Sequence, residues 1–133
     1  MDSLRLYSVL KLRTDVFVVE QGAAYEELDG RDVEPDARMF WAEDGDGVLA
    51  TLRVLAEVDG WRIGRVATAS TARGQGLAAE LMRRAVGQCA GDTIVLDAQQ
   101  PLERWYEAFG FTRSGEIFFE DGIPHVPMTR SAA

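Results

Sequence analysis

The chain has 133 residues, 22 acidic and 14 basic, for a formal charge of −8; that length suits one domain over 1–133 with a real core, and the acidic balance argues against nucleic acid or an anionic membrane as partner. One cysteine, Cys89, excludes an internal disulfide and a cysteine-based zinc site, and one histidine, His125, excludes a multi-histidine metal centre. No run approaches the roughly 18–20 apolar residues of a membrane span, and Met1-Asp2-Ser3 lacks the basic and apolar segments of a signal peptide. A cytoplasmic protein without metal, monomeric or homo-oligomeric, with a small-molecule or peptide partner, is therefore expected.

Residues 3–18 are predicted as a helix, with Leu6, Leu10, Arg13 and Phe17 on one face at 4-3-4 spacing. Residues 22–37, rich in Gly, Asp and Glu, read as a long binding loop. A strand at 38–43 and the turn Asp44-Gly45-Asp46-Gly47 come next. In the following strand Val48, Ala50, Leu52, Val54, Ala56 and Val58 share one face. Asp59-Gly60 predicts a tight hairpin to a strand at 61–68. The period then changes from two to 3.6, and Leu77, Ala78, Leu81, Met82, Ala85, Val86 and Cys89 form an apolar helical stripe ending before Gly91. The apolar run within 93–98 suits a strand covered on both faces. A short helix over 101–109 starts at Pro101 and ends at Gly110, and strands are predicted at 111–115, 116–120 and 125–130. That order defines an α+β (mixed α/β) domain around one sheet.

The informative segment is Arg73-Gly74-Gln75-Gly76-Leu77-Ala78, between a strand and the amphipathic helix. Two glycines let the backbone bend tightly and approach a ligand closely. The helix N-terminus offers unpaired N–H groups and positive dipole, so the segment suits a phosphate or pyrophosphate, and Arg73 would add a charge-assisted contact. A Walker loop would need Gly-Lys-Ser/Thr, and a dinucleotide fold Gly-x-Gly-x-x-Gly with a later acidic residue; neither is present. A glycine-rich entry to a surface helix is the plain structural alternative.

The R-x-x-G-x-G/A loop, the strand at 93–98 and Tyr106-Glu107-Ala108-Phe109-Gly110-Phe111 together resemble the GNAT superfamily of N-acetyltransferases. Within it, Arg13 to Gln21, Leu28-Asp29-Gly30-Arg31-Asp32 and Glu120-Asp121-Gly122-Ile123-Pro124-His125 resemble the ElaA-like family. The resemblance covers nearly the whole chain. It implies acetyl-CoA bound where two parallel strands, 61–68 and 93–98, splay apart. The pantetheine would pair with the backbone near Val66, Ala67 and Thr68, and the pyrophosphate would take the N–H groups of Arg73, Gly74, Gln75, Gly76, Leu77 and Ala78. Gln99 stands where many members carry an Asn facing the cofactor, and Tyr106 matches a tyrosine placed near the thioester sulfur. The chain departs from the family in three places. No strand precedes the first helix, Ala23-Ala24 stands where Cys-Pro is common before Tyr25, and Arg38-Met39 stands where a histidine is common.

Acetyl transfer to a primary amine needs a neutral amine, although an alkylammonium has a pKa of about 10. It also needs donors for the oxyanion and a proton for the leaving thiolate. Backbone N–H groups near Val66–Thr68 suit the oxyanion. Tyr106, neutral and able to donate, suits the sulfur; its alternative is packing beside Trp105 and Phe109. The candidate bases are Glu20, Asp29, Asp32 and His125, each with a structural role also open to it. Glu20 is preferred, because the apolar run Val16–Val19 should bury its surroundings and make it a better base. Tyr25, Asp29 and His125 are the expected acceptor-binding residues. Arg13, odd in a core stripe, would hold Glu20 or Asp29 or bind a substrate carboxylate. The acidic residues at 26–36 hint at a cationic acceptor, or serve solubility. Cys89 reads as core. The expected activity is acyl transfer from acetyl-CoA to an amine by direct attack. An acyl-CoA-binding regulatory or interaction module without transfer, or a small-ligand domain without CoA, are the alternatives. A sheet edge without its first strand could be covered by a second copy in a homodimer.

Overall fold

The computed structural model describes residues 1–22 and 27–132. Helix α1 (Ser3–Thr14) is capped by the Asp2 side chain, which accepts from the Arg5 N–H at 2.8 Å, and runs into a π-helical turn over Asp15–Glu20. Its buried residues are Val9, Leu12, Arg13, Val16 and Phe17, whereas Leu6 is exposed and Leu10 half-buried. The buried stripe is thus rotated from the predicted one. It follows the wider i, i+3, i+4, i+7 series that a globular helix face needs.

Strands β1 (Arg38–Asp44), β2 (Gly47–Glu57) and β3 (Gly60–Thr68) precede helix α2 (Leu77–Gln88). Strand β4 (Thr93–Gln99), helix α3 (Glu103–Glu107) and strands β5 (Thr112–Arg113), β6 (Phe118–Glu120) and β7 (Ile123–Arg130) follow. Among the described residues the seven strands make one sheet in the order β1-β2-β3-β4-β7-β5, with β6 also on β7. Every pair is antiparallel except β3 with β4. Among the described residues β1 stands at one end of the sheet.

The main core joins Ala50, Leu52 and Val54 of β2 to Leu81, Met82, Ala85 and Cys89 from the α2 stripe. A second cluster joins Leu12, Val16 and Phe17 to Ala67 of β3. Strand β2 is therefore covered on both faces, and 50–55 are buried without a break rather than in alternation. Val58 is fully exposed, because the hairpin turn is Val58-Asp59, one residue earlier than predicted. Gly60 instead begins β3 where the next strand comes close: a Cβ there would sit 2.0 Å from the Thr93 carbonyl oxygen. The covering expected on both faces belongs to β2 and not to β4. In β4 Ile94, Leu96 and Ala98 are buried, while Asp97 is exposed and accepts from Arg62 at 3.0 Å.

Candidate active site at the splayed strands

Strands β3 and β4 pair only through Gly60–Thr93, Trp61–Ile94 and Arg62–Val95. Beyond that β3 stays with β2 as far as Thr68, and β4 stays with β7 as far as Gln99. The sheet opens into a V. Opposite the two β2 residues Thr51 and Arg53, β3 carries one residue more than an even register would, and Arg65 there adopts φ +53°. This bulge switches the faces of the strand. Ile63 before it lies in the main core, and Ala67 after it lies in the α1 cluster. Among the described residues the β3–β4 pairing stops at Arg62, and Val66, Ala67 and Thr68 lie beyond that point on β3.

A cavity of about 190 Å³ occupies the V, and Arg65, Val66, Gln99, Tyr106 and His125 are among its walls. Tyr106 is only 6% exposed, with Trp105 and Phe111 edge-on at 4.9 and 6.5 Å. Burial pushes its phenol well above the ordinary value, which keeps it protonated. Gln99 donates to the Gln21 side chain at 3.0 Å, tying β4 to the end of the π turn. His125 lies opposite Gln99 on β7, its Nδ1 2.8 Å from the Ile123 carbonyl oxygen and its ring stacked on Phe118.

Following β3, Arg73, Gly74, Gln75 and Gly76 are exposed, and Leu77 and Ala78 begin α2 half-buried. Gly74 and Gly76 have φ of +79° and +75°, conformations that favour glycine. Nothing lies within 4 Å of a Cβ built at either, and Gly76 caps α2 without a side-chain hydrogen bond. The α2 N-terminus is thus entered through a glycine without a side-chain cap. Arg73 reaches back to Glu20 at 2.6 Å and donates to the Thr68 carbonyl at 3.3 Å. Glu20 does not lie in a buried setting: its side chain is 43% exposed, because the π turn points Val19 and Glu20 outward. It is not among the cavity walls. Tyr25 lies outside the described residues.

The ionic floor beneath the cavity was not foreseen. Arg13 of α1 holds Glu27 and Asp32, each at 2.7 Å. Arg53 of β2 holds Asp29 at 2.9 Å and Asp32 at 3.3 Å, and Arg65 holds Glu27 at 3.0 Å and Asp29 at 3.3 Å. Burial alone would raise the Asp29 carboxyl. Hydrogen bonds from Arg53 and the Arg31 N–H, with the charges of Arg53 and Arg65, reverse that and hold it at about 2. Arg13 thus pairs with neither Glu20 nor Asp29. The acidic residues Glu27, Asp29, Asp32 and Glu34 pair with arginines of the same chain. The sequence signal was an arginine in each of two buried series, Arg13 in the helix and Arg53 in β2, since buried charge demands a partner. Cys89 is buried and its thiol is pushed up by that burial, as befits core.

A parallel strand pair that splays beside a glycine loop is the architecture of an acyl-CoA-dependent transferase. The chain matches the family model described as an acetyltransferase (GNAT) domain over residues 8–132. ElaA of Escherichia coli is 36% identical over 133 residues, covering 95% of this chain and 87% of ElaA. The UPF0039 protein Mb2876c of Mycobacterium bovis is 47% identical, covering 98% and 86%. The crystal structure of an acyl-CoA N-acyltransferase from Pseudomonas aeruginosa superposes with a TM-score of 0.92 at 37% identity, covering 98% of this chain and 93% of that one. The chain belongs to the GNAT acetyltransferases, in the group that includes ElaA. GNAT acetyltransferases are acyltransferases that use acyl-CoA cosubstrates.

Proposed function

We propose that this chain, as one GNAT domain over 1–133, moves the acetyl group of acetyl-CoA to a primary amine of a small molecule or peptide by direct attack. The observation that carries this reading is the V between β3 and β4, whose cavity is walled by Val66 of the strand edge and by a buried, protonated tyrosine, with the Arg73–Ala78 loop following β3 in the chain. Acetyl-CoA supplies an activated acetyl thioester. Val66, Ala67 and Thr68 bind its pantetheine arm through their backbone, and the same edge offers oxyanion donors. The amides from Gly74 to Ala78 and the Arg73 guanidinium hold its phosphates, with Gln99 on the opposite wall. Tyr106 donates a proton to sulfur as the thiolate leaves. The acceptor enters from the side of Gln21, Arg65 and His125, with Asp29 holding Arg65 in place and Tyr25 as a further acceptor-binding residue by its sequence. A homodimer across the β1 edge and a cytoplasmic location belong to the same proposal.

The test is thiol release from acetyl-CoA across alkylamines, polyamines, aminoglycosides, amino acids and basic peptides. Amine-dependent release supports the reading. Tight acetyl-CoA binding with no release under any amine would leave an acyl-CoA-binding module.

A further inference from the structure

We infer that His125 is the general base of this reaction, taking the proton of the acceptor ammonium on its Nε2 atom. The inference rests on the acyl-transfer reading above. Its warrant is the geometry of the ring. Nδ1 lies 2.8 Å from the Ile123 carbonyl oxygen, and a carbonyl has no proton to give. The hydrogen of the neutral imidazole therefore sits on Nδ1, and the lone pair sits on Nε2. Orientation by a fixed partner on the first nitrogen is the usual way a basic second nitrogen is set up.

The ring is also held in place. Its backbone sits on β7 between Gln99 of β4 and Phe118 of β6, and Phe118 stacks on it with centroids 5.6 Å apart and planes 19° from parallel. It lines the same cavity as Tyr106, so a base and an acid border one space. The charged groups around that cavity are Arg53, Arg62 and Arg65 from β2 and β3, Asp97 from β4 and Glu120 from β6. Among the described residues Glu120 is the cavity carboxylate with no arginine paired to it, and the other candidate carboxylates are occupied. Glu20 is held by Arg73 outside the cavity, Asp29 is held at about 2 by its arginines, Asp32 is shared by Arg13 and Arg53, and Asp97 accepts from Arg62.

The step balances as follows. Nε2 takes one proton from the ammonium, and the amine nitrogen then forms a bond to the thioester carbonyl carbon. The C–S bond breaks with its electron pair going to sulfur, which takes a proton from the Tyr106 hydroxyl. The second proton lost by the nitrogen restores Tyr106, and His125 releases its own to solvent. One amide, one thiol and one proton result.

His125 is the chain's one histidine, so its ¹⁵N and ¹H spectrum is read without assignment ambiguity. The neutral ring is expected to be the Nδ1–H tautomer. His125→Ala and His125→Gln should lose about 10²–10⁴-fold in amine-dependent thiol release at saturating acetyl-CoA. Added imidazole should restore part of the rate to His125→Ala, which a merely packing histidine would not show. An Nε2–H tautomer, wild-type turnover in both variants, or a loss confined to Glu120→Gln would overturn the assignment. Absence of thiol release by the wild type with every amine would instead remove the acyl-transfer reading beneath it.

Discussion

The Arg73 guanidinium lies 2.6 Å from the Glu20 carboxylate, so the arginine of the glycine loop is tethered to the end of the first helical segment. Both side chains are close to half exposed, and such pairs contribute at most about 1 kcal/mol. A phosphate can therefore take Arg73 away from Glu20. The carboxylate also repels an anionic cofactor. Glu20→Gln is expected to tighten acetyl-CoA binding up to about fivefold at low salt, with turnover retained. Calorimetric titration and a turnover assay check this. Unchanged affinity with a large loss of rate would make Glu20 the base instead.

Arg73→Ala should weaken acetyl-CoA binding by about 1–3 kcal/mol if the guanidinium meets phosphate. Gly76→Val should weaken it too, since φ is +75° there and a side chain would stand where the phosphate approaches. Titration of each variant, with its melting temperature as a check on folding, separates lost binding from lost fold. Wild-type affinity in both would move the cofactor away from this loop.

Tyr106→Phe keeps the ring against Trp105 and Phe111 and removes only the hydroxyl. Turnover is expected to fall about 10²–10⁴-fold with acetyl-CoA affinity nearly intact. A donor with a more acidic thiol should shrink the defect, because its thiolate needs less help to leave. Rate measurements with both donors decide the matter.

The ionic floor makes two predictions about stability. Arg13→Ala leaves Glu27 buried without one of its guanidinium partners and should cost about 3–5 kcal/mol in denaturant unfolding. Asp29 is held at about 2, below its unfolded value near 3.8. Its contribution is therefore present in full above pH ~4 and lost as pH falls through about 2. Partial exposure limits it to about 1–2 kcal/mol. Asp29→Asn should accordingly flatten the acid limb of the stability profile. An unchanged limb would assign acid sensitivity to other carboxylates.

The parts of the fold that were legible in the sequence are those set by local period. The α2 stripe from Leu77 to Cys89 and the loop before it could be read directly, because a helix repeats its apolar face every 3.6 residues. The bulge at Arg65 could not, since it exists only in the register between β2 and β3. The α1 face was misread because Leu6 and Leu10 compete with the Val9, Leu12, Val16 series, and only packing on β2 and β3 chooses between them. The arginine–carboxylate floor joins α1, the loop before β1, β2 and β3, so no single window of sequence contains it. Tyr106 and His125 were both singled out, but the Ile123 contact that sets the tautomer needed coordinates.

Direct attack in the V requires acetyl-CoA and the amine to be bound together before any bond changes. The most direct measurement is an initial-rate matrix of thiol release, varying acetyl-CoA and amine independently, with the acetylated amine quantified by mass. Intersecting lines with one acetylated amine per thiol are predicted. Parallel lines, which mark a covalent acetyl-enzyme, or no amine-dependent thiol at all, would contradict the account.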